Sequence, residues 1–144
     1  MKAQYLPLRD TGFVSGLIYD YLEGVQGLKA YHNGVPSFEN LYRQALKKKA
    51  SYPSDIRSSL CTVLAMQYKG VETSPKVVEH IKLLEKKTTL TVTTGHQLCL
   101  MTGPLYFFYK IISTIKLSQQ LKKKFSDLDY VPVYWMASED HDYE

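Results

Sequence analysis

Two short polar clusters contain the residues of this chain whose side chains are best suited to chemistry. The first combines small and polar residues, namely Thr93, Thr94, Gly95, His96 and Gln97. The second is acidic and consists of Ser138, Glu139, Asp140, His141 and Asp142. Histidine and carboxylates transfer protons, and crowded carboxylates bind an ammonium group or a divalent cation. The two clusters therefore predict a binding or catalytic site.

The segments before and between the clusters predict how they are positioned. Residues 88–94 are rich in β-branched side chains and predict a strand that breaks at Gly95. A helix is predicted from Gly103-Pro104 to about Lys124, and residues 130–137 predict a second, apolar strand. If the strands are parallel neighbours, both clusters emerge at one sheet edge, where open α/β folds bind ligands.

The first cluster has features of a site that binds an anion. A turn at Gly95 and the free amides of a helix starting at Gly103 are typical of phosphate sites. Tyr106 and Lys110 lie one helical turn apart, and Lys110 would neutralise a phosphate or carboxylate. The structural alternative is a polar turn in which His96 caps a carbonyl, with Tyr106 at the core margin and Lys110 in solvent.

The second cluster is compatible with a structural role or with a functional one. Carboxylates in the first turn of a helix are common for purely structural reasons. Glu139, Asp140, Asp142 and Glu144 nevertheless place four carboxylates within six residues, where they repel one another unless a partner offsets their charge. This repulsion favours a functional role.

The preceding residues predict helices. Their ranges are 11–22, 37–49 with Ser37 as cap, 54–68, and a fourth opened by Ser74-Pro75. The predicted fold class is α/β, with residues 1–87 as a helical leader packing on the core and 88–144 as a β-α-β unit. For the final helix, the inward stripe is predicted to be Leu105, Phe108, Ile111, Ile112, Ile115 and Leu121. Two parallel strands rarely form an independent sheet, so we expect the front part of a longer protein.

Composition narrows the function classes. The 144 residues are 44% hydrophobic, carry a net charge of +4 and include two cysteines, Cys61 and Cys99, which we expect to be reduced and structural. No apolar run approaches the roughly 20 residues of a membrane span, and no signal-peptide core is present, so we expect a cytoplasmic protein without membrane contact. Lysine runs fall at helix ends without a nucleic-acid motif, which argues against nucleic-acid binding. The spacing identifies no metal site.

Several motifs together resemble one family, the cysteine-adding enzymes of bacillithiol biosynthesis called BshC. The matching segments are Thr94-Gly95-His96-Gln97, Thr102-Gly103-Pro104-Leu105-Tyr106, Tyr109-Lys110, and the run from Val131 through Trp135 to Asp142. The resemblance implies a Rossmann-like parallel sheet, of which this chain would contain the first β-α-β unit. It also implies a later coiled coil, which would form a homodimer, and an amino-terminal fragment that is inactive alone.

The resemblance also implies a reaction. Cysteine would be joined to the amine of glucosaminyl-malate, and because a free carboxylate needs activation, ATP would be consumed and ADP or AMP released. The expected catalytic residues are Glu139, Asp140 and His141. The expected substrate- or phosphate-binding residues are Thr94, Gly95, His96, Gln97, Gly103, Tyr106, Lys110, Ser138 and Asp142.

Two other functions remain open from the sequence. The segment Thr93-x-Gly95-His96 resembles the phosphate motif of nucleotidyl transferases, although their second nucleotide-binding signature is not visible in this chain. The second alternative is a non-catalytic fragment or binding module.

Overall fold

The computed structural model describes residues 4–97 and 103–138. The helices and strands are α1 (Leu8–Thr11), α2 (Gly16–Glu23), α3 (Phe38–Ser51), α4 (Ser54–Gln67), α5 (Pro75–Leu83), β1 (Thr89–Gln97), α6 (Leu105–Lys124) and β2 (Asp129–Ala137), with a short 3-10 helix at Gln26–Leu28. The chain divides into two compact units, Met1–Gln44 and Ala45–Glu144. Helices α4 and α5 thus share a compact unit with the strands, while the domain boundary expected at residue 87 stays a prediction.

The predicted helix 11–22 is wrong in its bounds, because two helices occupy this part of the amino-terminal unit. Gly12 adopts a left-handed backbone with φ of 65° and ends α1. Ser15 is extended and precedes α2, which ends at Gly24 with φ of 72°. A left-handed residue cannot continue a right-handed helix, so the periodic pattern is interrupted.

A cluster of charged side chains connects α1 to α2. The Arg9 guanidinium donates to both carboxylate oxygens of Glu23, at 3.0 and 2.8 Å, and to Asp20 at 3.0 Å. It also lies over the ring of Tyr19, 5.0 Å from the centroid. The hydrogen bond from Arg9 holds the pKa of the Glu23 carboxyl below its ordinary value.

The start of α3 confirms its predicted cap. The backbone amide of Asn40 donates to the Ser37 hydroxyl at 3.2 Å, which satisfies one free amide of the first turn. Ser74 occupies the N-cap position of α5, as predicted, but its side chain makes no cap hydrogen bond. Pro75 opens α5 as expected, because a proline at the first helical position loses no intrahelical hydrogen bond.

The two strands are parallel neighbours joined by α6, and this confirms the predicted α/β arrangement. The register pairs Thr89 with Asp129 and runs without interruption to the pair Gln97 and Ala137. The break predicted at Gly95 is wrong, because β1 continues through the glycine while Gly95 pairs with Trp135. The described part of the chain thus contains two adjacent parallel strands with a helical crossover.

The core of the carboxy-terminal unit lies between the sheet and two helices. Cys61, Leu84 and Val131 are buried together, and Leu64, Leu83 and Val133 pack against them. Burial raises the pKa of the Cys61 thiol, the nearby Glu85 charge adds to the rise, and Arg57 opposes it. The expectation that Cys61 is a core residue is confirmed, whereas Cys99 lies outside the described residues.

Arg57 is buried at the junction of α5 and β1. Its Nη1 donates to the Leu84 carbonyl at 2.7 Å and to the Thr89 carbonyl at 3.2 Å. The Thr89 hydroxyl donates to the Leu83 carbonyl at 2.6 Å. These bonds satisfy carbonyls at the carboxyl end of a helix, where the helix dipole favours a cation.

The buried face of helix α6 matches the predicted stripe only in part. Leu121 is buried and Ile111 is half-buried, as predicted. Leu105 and Ile112 are 70% and 59% exposed, whereas Thr114 and Ser118, outside the predicted stripe, are buried. The Thr114 hydroxyl donates to the Lys110 carbonyl and the Ser118 hydroxyl to the Ile115 carbonyl, both at 2.8 Å. Polar side chains are tolerated on the buried face because the helix backbone accepts their hydrogen bonds. No helix within residues 4–97 and 103–138 combines the length and apolar character that a membrane crossing needs.

Candidate functional site

The carboxyl ends of β1 and β2 lie side by side, so the two polar clusters begin at one edge of the sheet. Gln97 is paired with Ala137, and Ser138 follows directly. The Ser138 amide donates to the Met136 carbonyl at 2.9 Å, which turns the chain at the end of β2. The predicted convergence at this edge is therefore confirmed as far as Ser138.

The acidic part of the second cluster lies beyond the described residues. Glu139, Asp140, His141 and Asp142 fall there, and their catalytic and binding roles stay predictions. Within residues 4–97 and 103–138, no three His, Cys, Asp or Glu side chains gather closely enough to hold a metal ion.

His96 is held by hydrogen bonds at both ring nitrogens. Its Nδ1 lies 2.9 Å from the Gln97 carbonyl oxygen, and its Nε2 lies 2.5 Å from the Tyr106 hydroxyl. Tyr106 is in the first turn of α6, so the contact joins the start of that helix to the end of β1. The structure thus brings together two of the predicted site residues.

Aromatic packing supports the contact between His96 and Tyr106. The Phe107 ring meets His96 and Tyr134 edge-on, with centroid distances of 5.8 and 5.5 Å and interplanar angles of 82° in both cases. The Tyr134 hydroxyl donates to the His96 carbonyl at 3.1 Å. Edge-to-face packing is a favourable geometry for aromatic pairs, so Phe107 fixes α6 against both strand ends.

Lys110 lies one turn further along α6, as predicted, and its side chain reaches the same edge. Its ammonium donates to the carbonyl oxygen of Gly95. An ammonium has three N–H donors, so this bond is compatible with a further contact to an anion. The alternative of a fully solvated Lys110 is wrong, because the residue is half-buried.

The two glycines of the site have different roles from the predicted ones. Gly95 does not turn the chain; a Cβ there would lie 3.1 Å from the Trp135 carbonyl oxygen and 3.2 Å from its Cβ. Gly103 has φ of 63°, a conformation that favours glycine, and precedes Pro104, which caps α6. The helix therefore begins at Leu105, close to the expected position.

Thr94 and Gln97 complete the described part of the first cluster. Thr94 is paired with Tyr134 in the ladder, and both Thr94 and Gln97 are half-buried. Their contacts with substrate or phosphate stay predictions.

Sequence reasoning missed Phe107 and Tyr134, because neither belongs to a polar motif. Each is adjacent in sequence to a singled-out or signature residue, Tyr106 and Trp135. The available signal was the period-two pattern of β2, which places Tyr134 and Trp135 on opposite faces of the sheet. Trp135 is 59% exposed, so the described residues leave its face of β2 largely uncovered at this end.

Comparison with known proteins identifies the family. The family model described as "Bacillithiol biosynthesis BshC, N-terminal Rossmann-like domain" matches residues 1–144, the whole chain. The chain belongs to the BshC family. This confirms the resemblance drawn from the motifs of the two clusters.

Relatives in the BshC family match the chain over nearly all of its length. Proteins named "Putative cysteine ligase BshC" are 44% identical in Flavobacterium johnsoniae and 47% identical in Christiangramia forsetii, each over 144 residues. Both matches cover 100% of this chain and 27% of the relative. One from Natranaerobius thermophilus is 36% identical over 133 residues, covering 90% of this chain and 24% of the relative. The chain thus spans about a quarter of the length of these BshC relatives.

The nucleotidyl-transferase alternative loses its structural basis. It depended on a phosphate-binding turn at Gly95 and His96, and both residues lie within β1. Membership of the BshC family accounts for the same residues together with the Gly103-Pro104 and Trp135 segments.

Proposed function

We propose that this edge of the sheet is part of the active site of a ligase that joins the carboxyl group of cysteine to the amine of glucosaminyl-malate. The observation that carries the proposal is the match of the whole chain to BshC relatives named as cysteine ligases. Because the chain spans about a quarter of those relatives, the complete reaction is proposed for a protein of their length. Residues 1–144 alone are expected to be inactive.

Lys110 and the acidic cluster have the side chains that amide formation demands. A carboxylate must be activated before an amine can displace one of its oxygens, and we propose ATP as the co-substrate. The Lys110 ammonium at the end of β1 would offset negative charge on a phosphate or carboxylate. The acidic residues Glu139, Asp140 and Asp142 would hold an amine, with His141 transferring its proton.

Isotope transfer tests the reaction in a full-length relative. Cysteine labelled with oxygen-18 in its carboxyl group is incubated with ATP and glucosaminyl-malate, and the released AMP and phosphate are analysed by mass spectrometry. We expect one labelled oxygen in AMP or in phosphate, because activation transfers a carboxyl oxygen to the leaving group. Formation of the amide with no label in either product would refute activation by ATP, and absence of the amide would refute the ligase assignment.

A matched pair of lysine variants tests the site in the same relative. Replacing the lysine that corresponds to Lys110 by methionine is expected to lower kcat/KM by about tenfold or more, the scale of one charge-assisted contact. The control replaces the equivalent of Lys116, which is exposed on α6, and is expected to leave kcat/KM unchanged. Equal effects of the two variants, with circular dichroism showing both folded, would contradict the role of Lys110.

A further inference from the structure

The hydrogen bonds of His96 fix which of its ring nitrogens carries a proton. The Gln97 carbonyl oxygen can only accept, so Nδ1, 2.9 Å away, must be the protonated nitrogen. In the neutral imidazole, Nε2 then has a lone pair and no hydrogen. The Tyr106 hydroxyl, 2.5 Å from Nε2, must therefore donate its proton to the ring.

This assignment determines what Tyr106 offers to a ligand. A phenol has a single proton, and once that proton is directed at His96 the oxygen has only lone pairs left for other partners. Tyr106 is 53% exposed, so this oxygen is accessible at the edge of the sheet. We infer that Tyr106 forms a subsite for a hydrogen-bond donor, specifically the amine of the acceptor substrate, and that His96 sets this polarity as a positioning residue.

Surrounding contacts hold the imidazole in this orientation. Phe107 packs edge-on against the ring, and the Tyr134 hydroxyl binds the His96 main-chain carbonyl at 3.1 Å. The backbone of His96 is also fixed in β1 by its pairing with Met136. A ring fixed on these sides presents Nε2 to Tyr106 and Nδ1 to the main chain.

Tyr106 and Lys110 would form two subsites at this edge, one that accepts hydrogen bonds and one that donates them. Phosphate and carboxylate oxygens are acceptors and do not match the lone pairs of Tyr106, whereas they match the donors of Lys110. Of the substrate and phosphate roles expected for Tyr106, this polarity favours binding of a substrate amine. The inference rests on the proposed function only for the identity of that amine.

Nuclear magnetic resonance of residues 1–144 tests the tautomer first. With nitrogen-15 labelled histidine, long-range proton–nitrogen spectra are recorded at rising pH until the ring signals stop changing, and they then distinguish the two neutral forms. We expect the Nδ1-protonated form for His96. An Nε2-protonated ring would overturn the inference.

Ligand titration of the same chain tests the subsite. Glucosamine is the probe, and glucose, which has a hydroxyl in place of the amine, is its matched control. We expect glucosamine to shift the Tyr106 ring signals saturably and to bind about tenfold more tightly than glucose, because its ammonium makes a charge-assisted hydrogen bond. Phosphate bound at the neighbouring Lys110 is expected to have the same affinity in the parent chain and in Tyr106→Phe, because the phenol oxygen has no donor left for it. A loss of phosphate affinity in Tyr106→Phe, or no saturable shift with glucosamine, would overturn the subsite.

Variants of His96, Tyr106 and Tyr109 distinguish a positioning role of His96 from a purely structural one. Tyr106→Phe is expected to abolish the glucosamine preference, while Tyr109→Phe, exposed on the same helix, should retain it. His96→Leu removes the acceptor and should weaken glucosamine binding about tenfold, and His96→Gln, whose amide oxygen can accept from Tyr106, should restore most of it. Unchanged binding in folded Tyr106→Phe would refute the inference. These outcomes are independent of the isotope experiment, which can fail while Tyr106 still binds the amine.

Discussion

Position 95 has room for a hydrogen atom and little more. The close approach of Trp135, at 3.1 and 3.2 Å from where a Cβ would stand, explains why glycine occurs within a strand that otherwise favours β-branched residues. The glycine therefore allows the two strands to approach at the site, instead of bending the chain.

Gly95→Ala is expected to destabilise the carboxy-terminal unit by about 1–3 kcal/mol, because the added methyl group forces Trp135 to move. Urea unfolding followed by circular dichroism measures the change. Gly16→Ala is the control, since nothing lies within 4 Å of a Cβ at that position. Equal free energies of unfolding for Gly95→Ala and the parent chain would contradict this explanation, because β2 would then accommodate the methyl group without loss of stability.

Arg9 and Glu23 provide a test of local electrostatics in the amino-terminal unit. The hydrogen bonds from Arg9 lower the pKa of Glu23 in the folded state, so they stabilise the fold at pH values above the unfolded pKa of glutamate. This contribution is lost as the pH falls through the lowered folded pKa. Acidification is therefore expected to loosen the junction between α1 and α2.

Carboxyl chemical shifts recorded over a pH titration check this expectation. In Arg9→Gln the pKa of Glu23 is expected to rise toward the ordinary glutamate value, whereas Arg43→Gln, an exposed arginine that contacts Asn40, should leave it unchanged. A Glu23 titration insensitive to Arg9→Gln would contradict the assignment of the pKa shift to this pair.

At the scale of single residues, the sequence predicted which side chains lie at the candidate site. It did not predict which of them donate and which accept hydrogen bonds there. His96, Tyr106 and Lys110 were expected at one edge, and they meet there. That Tyr106 donates to His96 depends on how α6 packs against β1, which a local motif does not encode. The same holds for Gly95, whose strand conformation follows from pairing with Trp135, 40 residues later in the chain.

At the scale of elements, the buried Arg57 fixes the passage from α5 into β1. It binds one carbonyl at the end of the helix and one at the start of the strand. Its guanidinium also lies 5.2 Å from the centroid of the Tyr52 ring, between α3 and α4. The residue therefore connects several elements at the end of the sheet remote from the candidate site.

Arg57→Met is expected to lower the free energy of unfolding by about 3 kcal/mol, because two buried carbonyls lose a charged donor. Arg43→Met, which replaces an exposed arginine, should change it by less than about 0.5 kcal/mol. Urea denaturation of both variants gives the comparison. Similar values for the two would mean that water replaces the guanidinium at little cost.

Element boundaries were predicted well where a local signal sets them. Ser37, Pro75 and Pro104 mark helix starts that the structure places within a residue or two. The buried face of α6 was predicted less well, since Leu105 and Ile112 are exposed while Thr114 and Ser118 are buried. Which face a helix buries depends on partners that are distant in sequence, and hydrophobic periodicity alone does not specify them.

For the molecule as a whole, stability depends on a small core in the unit 45–144. Leu128, in the turn before β2, is 0% exposed and is among its largest fully buried side chains. Cys61 lies in the core of the same unit, so its thiol reports when that core opens.

Leu128→Ala is expected to cost about 2–5 kcal/mol through the cavity it leaves. In a Cys99→Ala background, alkylation of Cys61 should then occur at lower urea concentration than in the parent background. Leu105→Ala, at a 70% exposed position, is the control and should leave the alkylation profile unchanged. Persistent protection of Cys61 in folded Leu128→Ala would show that the core closes around the cavity.

The family could be predicted from the sequence because it depends on short motifs. The parallel β-α-β arrangement could be predicted because the hydrophobic pattern changes from helical to strand periodicity. The acidic cluster from Glu139 to Asp142 was predicted from the same motifs, and its roles stay predictions. A cooperative thermal transition of residues 1–144 would further show that this portion folds as a unit.

Trp135 is the only tryptophan among the 144 residues, and it lies at the end of β2 beside Gly95, on the sheet face opposite Tyr134. Light absorbed beyond the range of tyrosine therefore excites a single position of this chain, next to the candidate site. The indole is largely in water in the free chain, so a molecule that covers it would shift the emission to shorter wavelength. The chain thus contains its own optical probe for a ligand that reaches this end of the sheet, with no dye or label attached.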